Sequence, residues 1–251
     1  MSAAATATAL LRSERIKLTS VRVGAALVLA TALVGAVVAW AFASFAPDEG
    51  LVATEVFLYP TVFTAVLAAI GGILLFTSEV QHGTLAGALT AHPSRWPVAA
   101  AKAVVATGLG LLLGAIGLAT GFVGALIGRV PVGDVSAVRT TVLWALLYTA
   151  GAALLGLGVG MVVRHSAAAI SGLLVWWLVI EGLIVQLAPA EVVRFVPFDT
   201  GFRSIGVESD LDVASVVEGG LSNPLHASIF WVYVIVALAI GATLLVRRDV
   251  D

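Results

Sequence analysis

Residues 23–45 read VGAALVLATALVGAVVAWAFASF, and this stretch, Val23 to Phe45, runs its whole length without a charge. About 20 apolar residues in a row let an α-helix cross the ~30 Å hydrocarbon core of a bilayer. Ala41-Phe42-Ala43 has the form of a signal-peptidase site, but the run is too long for a secretory signal and similar runs follow, so it reads as an uncleaved first span. Working outward, further spans are expected at 56–77, 98–128, 141–163, 167–187 and 229–246. The composition agrees: 60% of the 251 residues are hydrophobic, 11% are charged and the mean hydropathy is +1.09. Soluble domains carry roughly 25% charged residues. The expected fold is all-α, a single polytopic membrane domain over 1–251 with six transmembrane helices.

The charges give the orientation. Segments on one side hold nine basic residues (Arg12, Arg15, Lys17, Arg22, Arg95, Lys102, Arg164, Arg247, Arg248), and those on the other hold four (Arg129, Arg139, Arg194, Arg203). Acids mirror this, with Asp48, Glu49, Glu55, Asp134, Glu191, Asp199, Glu208, Asp210, Asp212 and Glu218 on the second side against Glu14, Glu79, Asp249 and Asp251 on the first. Arg and Lys stay in the cytoplasm. Both termini are therefore expected to be cytoplasmic, in the plasma membrane. Residues 1–22, with basic groups around Leu10, Leu11, Ile16 and Leu18, suit a short amphipathic helix at the headgroups. The tail is 247–251.

Gly110, Gly114, Gly117, Gly121, Gly124 and Gly128 alternate in steps of four and three along the third span. That spacing makes one helix stripe on which a neighbouring backbone can approach closely. A sliding or dimer surface and static packing within one subunit both fit, the second being the commoner use, with Gly156 and Gly160 of the fourth span as facing partners. Several chemistries are excluded. Without cysteine there is no disulfide, thiolate metal site or cysteine nucleophile. Neither lysine sits in a P-loop, no H-E-x-x-H occurs, His82, His92, His165 and His226 are scattered, and no G-x-S-x-G elbow exists.

Between the second and third spans, Ser78-x-x-Gln81 has the form of a capping box, Thr84 offers a second helix start and His92-Pro93 a stop, so a short cytoplasmic helix is expected there. Between the fifth and sixth, residues 188–228 contain Pro189, Pro197 and Pro224 beside apolar pieces. This is the one loop with room for structure of its own.

Three stretches are similar to the permease subunits of type-two ATP-binding-cassette exporters, especially the actinobacterial kind encoded apart from their ATPase. Ser13-Glu14-Arg15-Ile16-Lys17-Leu18-Thr19-Ser20-Val21-Arg22 resembles the family's "SEWxKLRSVR" opening, with Arg15 and Thr19 departing from it. Ser78-Glu79-Val80-Gln81-His82-Gly83-Thr84, with Pro93-Ser94-Arg95-Trp96 and Ala101-Lys102, resembles "SEYRHGT...TPxR...AK". Glu181, Val196-Pro197-Phe198, Leu221-Ser222-Asn223-Pro224 and Arg247-Arg248-Asp249-Val250 complete it, Asn223 interrupting the family's Leu-Ser-Pro. The resemblance implies two permease chains, identical or not, clamped to two ATP-binding subunits that carry ATP and Mg, with no cofactor on this chain and no enzymatic activity of its own. It implies a coupling loop at 78–97, with Glu79, His82, Gly83 and Thr84 docked on the ATPase, and re-entrant helices within 188–228.

A stand-alone secondary transporter or channel, and a non-transporting immunity or sensor partner of the same fold, are the alternatives. The first would want several intramembrane ionisable groups or interrupted repeats. Candidate pathway positions are Trp40, Tyr59, Phe63, Thr64, Trp176 and Trp177; for the tryptophans, interface anchoring is the competing role. Glu181 is the one acid well inside a span, about 14 residues or ~21 Å beyond the span's cytoplasmic end at ~1.5 Å per residue. It is expected to be protonated, paired or facing water. Two readings stay open: a structural pair with an inward-reaching Arg129, Arg139, Arg194 or Arg203, or a hydrogen-bonding latch at the outer gate between permease chains.

Overall fold

Inside hydrocarbon no water reaches the peptide groups, so a spanning segment must satisfy its own N–H and C=O groups, as a helix does. In the computed structural model, which describes residues 22–45, 51–84, 95–136, 138–206 and 222–247, six helical segments are long and apolar enough to cross a membrane. No strand occurs among the described residues. The first span is α1 (Arg22–Phe45). The second, Ala53–Gln81, consists of the single turn α2 (Ala53–Val56) and α3 (Thr61–Gln81). The third and fourth are α4 (Trp96–Ile127) and α5 (Val138–Val163). The fifth, Ser166–Leu187, is built of α6 (Ser166–Val175), a π-helical turn at Trp176–Glu181 and α7 (Gly182–Leu187). Two short helices, α8 (Ala190–Val193) and α9 (Pro197–Arg203), precede the sixth span, α10 (Asn223–Arg247).

The boundaries correct the sequence reading in two places. Ser78 does not cap a new helix; α3 runs on to Gln81, and the Ser78 hydroxyl donates back to the Leu74 carbonyl at 2.5 Å. The break comes at Gly83, whose φ of 68° lies in the left-handed region, and helix resumes at Thr84. The sixth span starts at Asn223, within the stretch assigned to the loop, with Pro224 in its first turn, where a missing N–H costs nothing. The proposed N-terminal helix, the His92-Pro93 stop and the C-terminal tail from Arg248 lie outside the described residues.

Glycine and alanine organise the bundle, because helices in lipid gain little from burying apolar surface and must instead pack closely. The second and fourth spans meet backbone to backbone. A Cβ on Gly72 would run into the backbone of Ala153 and Leu157, and one on Gly156 into the backbone of Ala69. Gly156 and Gly160 therefore face the second span, not the glycine stripe as expected. The stripe itself winds past three neighbours in turn: Gly110 and Gly114 lie on Thr149 and its surroundings in α5, Gly117 on Thr64 of α3, Gly121 on Phe57, and Gly124 and Gly128 on Ala36 and Ala43 of α1. All six glycines are thus occupied by contacts within the chain. Of the most apolar stretch of each span, 67% is buried in the fourth and only 17% in the fifth, so the fifth lies at the rim.

Candidate functional site

Polar groups gather at the two ends of this bundle. At the end that carries residues 78–84, α3 and α4 form a hairpin, with Glu79 in the last turn of α3 and Lys102 in the second turn of α4. Lys102 Nζ meets Glu79 Oε2 at 2.8 Å, with side-chain exposures of 0% and 8%, and Nζ also donates to the Leu75 carbonyl at 3.3 Å. Glu79, expected at the docking loop, is joined to the third span. Lys102, read only as part of a motif, is the residue the sequence argument missed. The available signal was an acid near the end of one span and a base near the start of the next, which an antiparallel hairpin brings level.

The same end is tied to the remaining spans. The Ser166 hydroxyl at the start of the fifth span donates to Gln81 Oε1 at 2.9 Å. His165 caps α6 by accepting the Ala168 N–H on Nδ1 at 3.2 Å, after a turn in which Arg164 takes a φ of 59°. The Arg95 guanidinium donates to the carbonyls of Leu245 and Val246, at 3.1 and 3.4 Å, closing the last turn of the sixth span. His82, Gly83 and Thr84 are exposed just beyond, His82 Nδ1 lying 2.7 Å from the Ser78 carbonyl oxygen. The second, third, fifth and sixth spans are thus linked at this end.

At the opposite end Glu181 is buried, 3% exposed. Its Oε1 accepts the Asp199 N–H at 2.6 Å, and its Oε2 is buried with no hydrogen-bond partner among the described residues. This corrects the arginine pairing. Arg203 binds the Asp199 carboxylate at 2.6 Å, and Arg194 donates to the Glu191 carbonyl and lies over the Phe195 ring. Arg129 and Arg139 are exposed. The short helix α9 is held from its other side by the Tyr148 hydroxyl of the fourth span, which donates to the Phe198 carbonyl at 3.0 Å, and Gly201 abuts the Tyr148 ring. The Tyr233 hydroxyl of the sixth span donates to the Phe195 carbonyl at 2.7 Å. Three spans thus hold the 190–206 segment, and only the fifth does so through a carboxylate.

Among the pathway candidates, Phe63 and Trp177 come together edge to face, with ring centroids 5.6 Å apart, between α3 and the π turn. Tyr59 pairs with Phe42 of the first span at 4.9 Å. Thr64 is buried against Gly117 and so does not line an accessible surface in this conformation. Trp40 and Trp176 are exposed at the rim. In the loop between α4 and α5, the Ser136 N–H and hydroxyl both donate to Asp134 and hold its carboxyl below the ordinary range. No cluster able to hold a metal ion occurs among the described residues.

Six apolar spans, polar ties at one end and a short-helix cap at the other define a multi-pass membrane protein. A family model described as "ABC-2 family transporter protein" matches residues 10–175, about two thirds of the chain. The chain belongs to that family, whose members are membrane permease subunits of ATP-binding-cassette transporters that work with an ATP-binding subunit. Among curated proteins none matches the chain.

Proposed function

We propose that this chain is the permease subunit of an exporter, that two permease chains enclose the substrate path, and that separate ATP-binding subunits hydrolyse ATP with Mg and drive it through the loop at 78–84. The observation that carries the reading is the buried Glu79–Lys102 pair where that loop leaves the membrane. It joins the second span to the third, so that a push on the loop moves both. Phe63 and Trp177 flank the path on this reading, and Glu181 is the outer latch, holding α9 closed through the Asp199 N–H.

Copurification with an ATP-binding subunit, and ATP hydrolysis that depends on the pair, test this reading. Gly83→Leu is the informative variant. A Cβ added at Gly83 meets no atom of the described residues within 4 Å. The left-handed backbone alone costs roughly 1–2 kcal/mol and is confined to the joint. The variant is expected in the membrane at wild-type level with weakened ATPase association. Equal association, or transport without any ATP-binding subunit, would overturn the coupling role.

Cytoplasmic termini are part of the same proposal and rest on the asymmetry of Arg and Lys. Because the chain has no cysteine, introduced thiols report cleanly. Val135→Cys, in the exposed loop after the third span, should label from outside with an impermeant reagent, and His82→Cys only after permeabilisation. The reverse pattern would put 78–84 out of an ATPase's reach.

A further inference from the structure

Residues Trp176 to Glu181 form a full π-helical turn in an otherwise α-helical span. Such a turn holds one residue more than an α-turn and occurs mostly where function requires it. Its consequence here is a change of register. Ala169 and Leu173 are buried on α6, and three α-turns, about 11 residues, beyond Ala169 the same face would come round at Ile180. The extra residue moves that place to Glu181: Ile180 is 39% exposed and Glu181 only 3%. The π turn is therefore what carries the carboxylate to the Asp199 N–H.

Besides that bond, the turn is held by Trp177, which packs edge to face on Phe63 of α3. The fifth span lies at the rim, Leu178, Val179 and Ile180 are exposed, and an added Cβ on Gly172 or Gly182, either side of the turn, would meet no atom within 4 Å. The downstream piece α7 has no buried residue.

We propose that the π turn is a register switch for the outer gate. Its collapse to α-helix turns Glu181 by about one residue, ~100°, away from Asp199 and brings Ile180 to the inward face, which frees α9 from the fifth span while Tyr148 still holds it to the fourth and Tyr233 holds Phe195, just before it, to the sixth. This rests on the reading of Glu181 as a latch, and it supplies the movement that the latch requires.

Deleting Val179, an exposed residue inside the turn, separates the two ideas. The shortened span can be regular α-helix with Glu181 still facing Asp199, so the fold and the assembly with the ATP-binding subunit are expected to survive with the latch unable to turn. ATP hydrolysis by the full complex should fall by roughly tenfold or more, as for a two-state element held in one state. Hydrolysis at the wild-type rate would overturn the switch. A second measurement covers failure of the deletion to assemble. In the full-length chain carrying Ile180→Cys and Asp199→Cys, a disulfide should form under copper-phenanthroline in the complex trapped with MgATP and vanadate, and not in the nucleotide-free complex. Equal bridging in the two states, or none in the trapped one, would also overturn it. Glu181→Leu reports on the latch alone: unchanged hydrolysis by that variant would remove the latch, whereas altered hydrolysis beside a wild-type deletion variant would leave the latch standing and remove the switch.

Discussion

Lys102→Met is expected to destabilise the permease by about 3–5 kcal/mol, the usual cost of stripping one partner from a buried ion pair. The Glu79 side chain is 8% exposed and its Oε2 faces the lysine at 2.8 Å. With the ammonium gone, the buried carboxylate loses its cation at 2.8 Å near the end of two packed helices. Glu79→Gln should be costly for the mirror reason, since Lys102 is fully buried and loses the charge that faces it. The double variant is expected to recover most of the loss, because removing both charges removes the desolvation cost together with the attraction. A double-mutant cycle on thermal unfolding in detergent should give an interaction energy of about 1–3 kcal/mol. A cycle that closes to zero would mean that the two residues act independently, and the hairpin tie would be void. Coupling is the finer readout: the double variant, folded but without the bridge, should assemble with its ATPase and hydrolyse ATP less responsively.

Gly156→Ala is the second large effect. Added methylenes in a packed interior usually cost about 1–3 kcal/mol because side chains can shift aside. Here a Cβ meets the backbone of Ala69, and the reciprocal Gly72 lies equally close to the backbone of Ala153. Backbone in the middle of a helix cannot turn aside, so the second and fourth spans must separate along their length. A loss above about 3 kcal/mol is expected, seen as a large fall in melting temperature or in folded yield by size exclusion. Gly172→Ala is the internal control: nothing lies within 4 Å of its added Cβ, and helix propensity there favours alanine by up to about 1 kcal/mol. Equal melting temperatures for the two variants would mean that the helices are not in backbone contact.

The spans were legible to within a few residues. The fifth, read at 167–187, is Ser166–Leu187, and the fourth, read at 141–163, is Val138–Val163. Legibility failed where an end is set by partners instead of lipid. The sixth span starts at Asn223, next to the α9 segment, with the amide of Asn223 against Gly206. Glu181 was singled out because an acid inside a span demands a partner, yet the partner itself was misread. A charge count offers arginines, whereas the structure uses a backbone N–H that exists only once α9 has folded beside it.

The linear sequence by itself determined that this is a membrane protein of six helices, because hydrocarbon imposes length and apolarity on each segment separately and makes each one satisfy its own backbone. Which faces meet was decided by tertiary structure alone. In water a helix marks its inner face by an apolar stripe, but lipid is as apolar as a protein core, so Leu33 at the exposed rim and Leu113 in the interior are the same residue to any hydropathy reading. The markers that remain are close-packed glycines and rare polar groups. Their spacing shows that something fits there; that Gly117 receives Thr64, that Glu79 holds Lys102 and that a π turn carries Glu181 to Asp199 follows only from helices already packed in three dimensions.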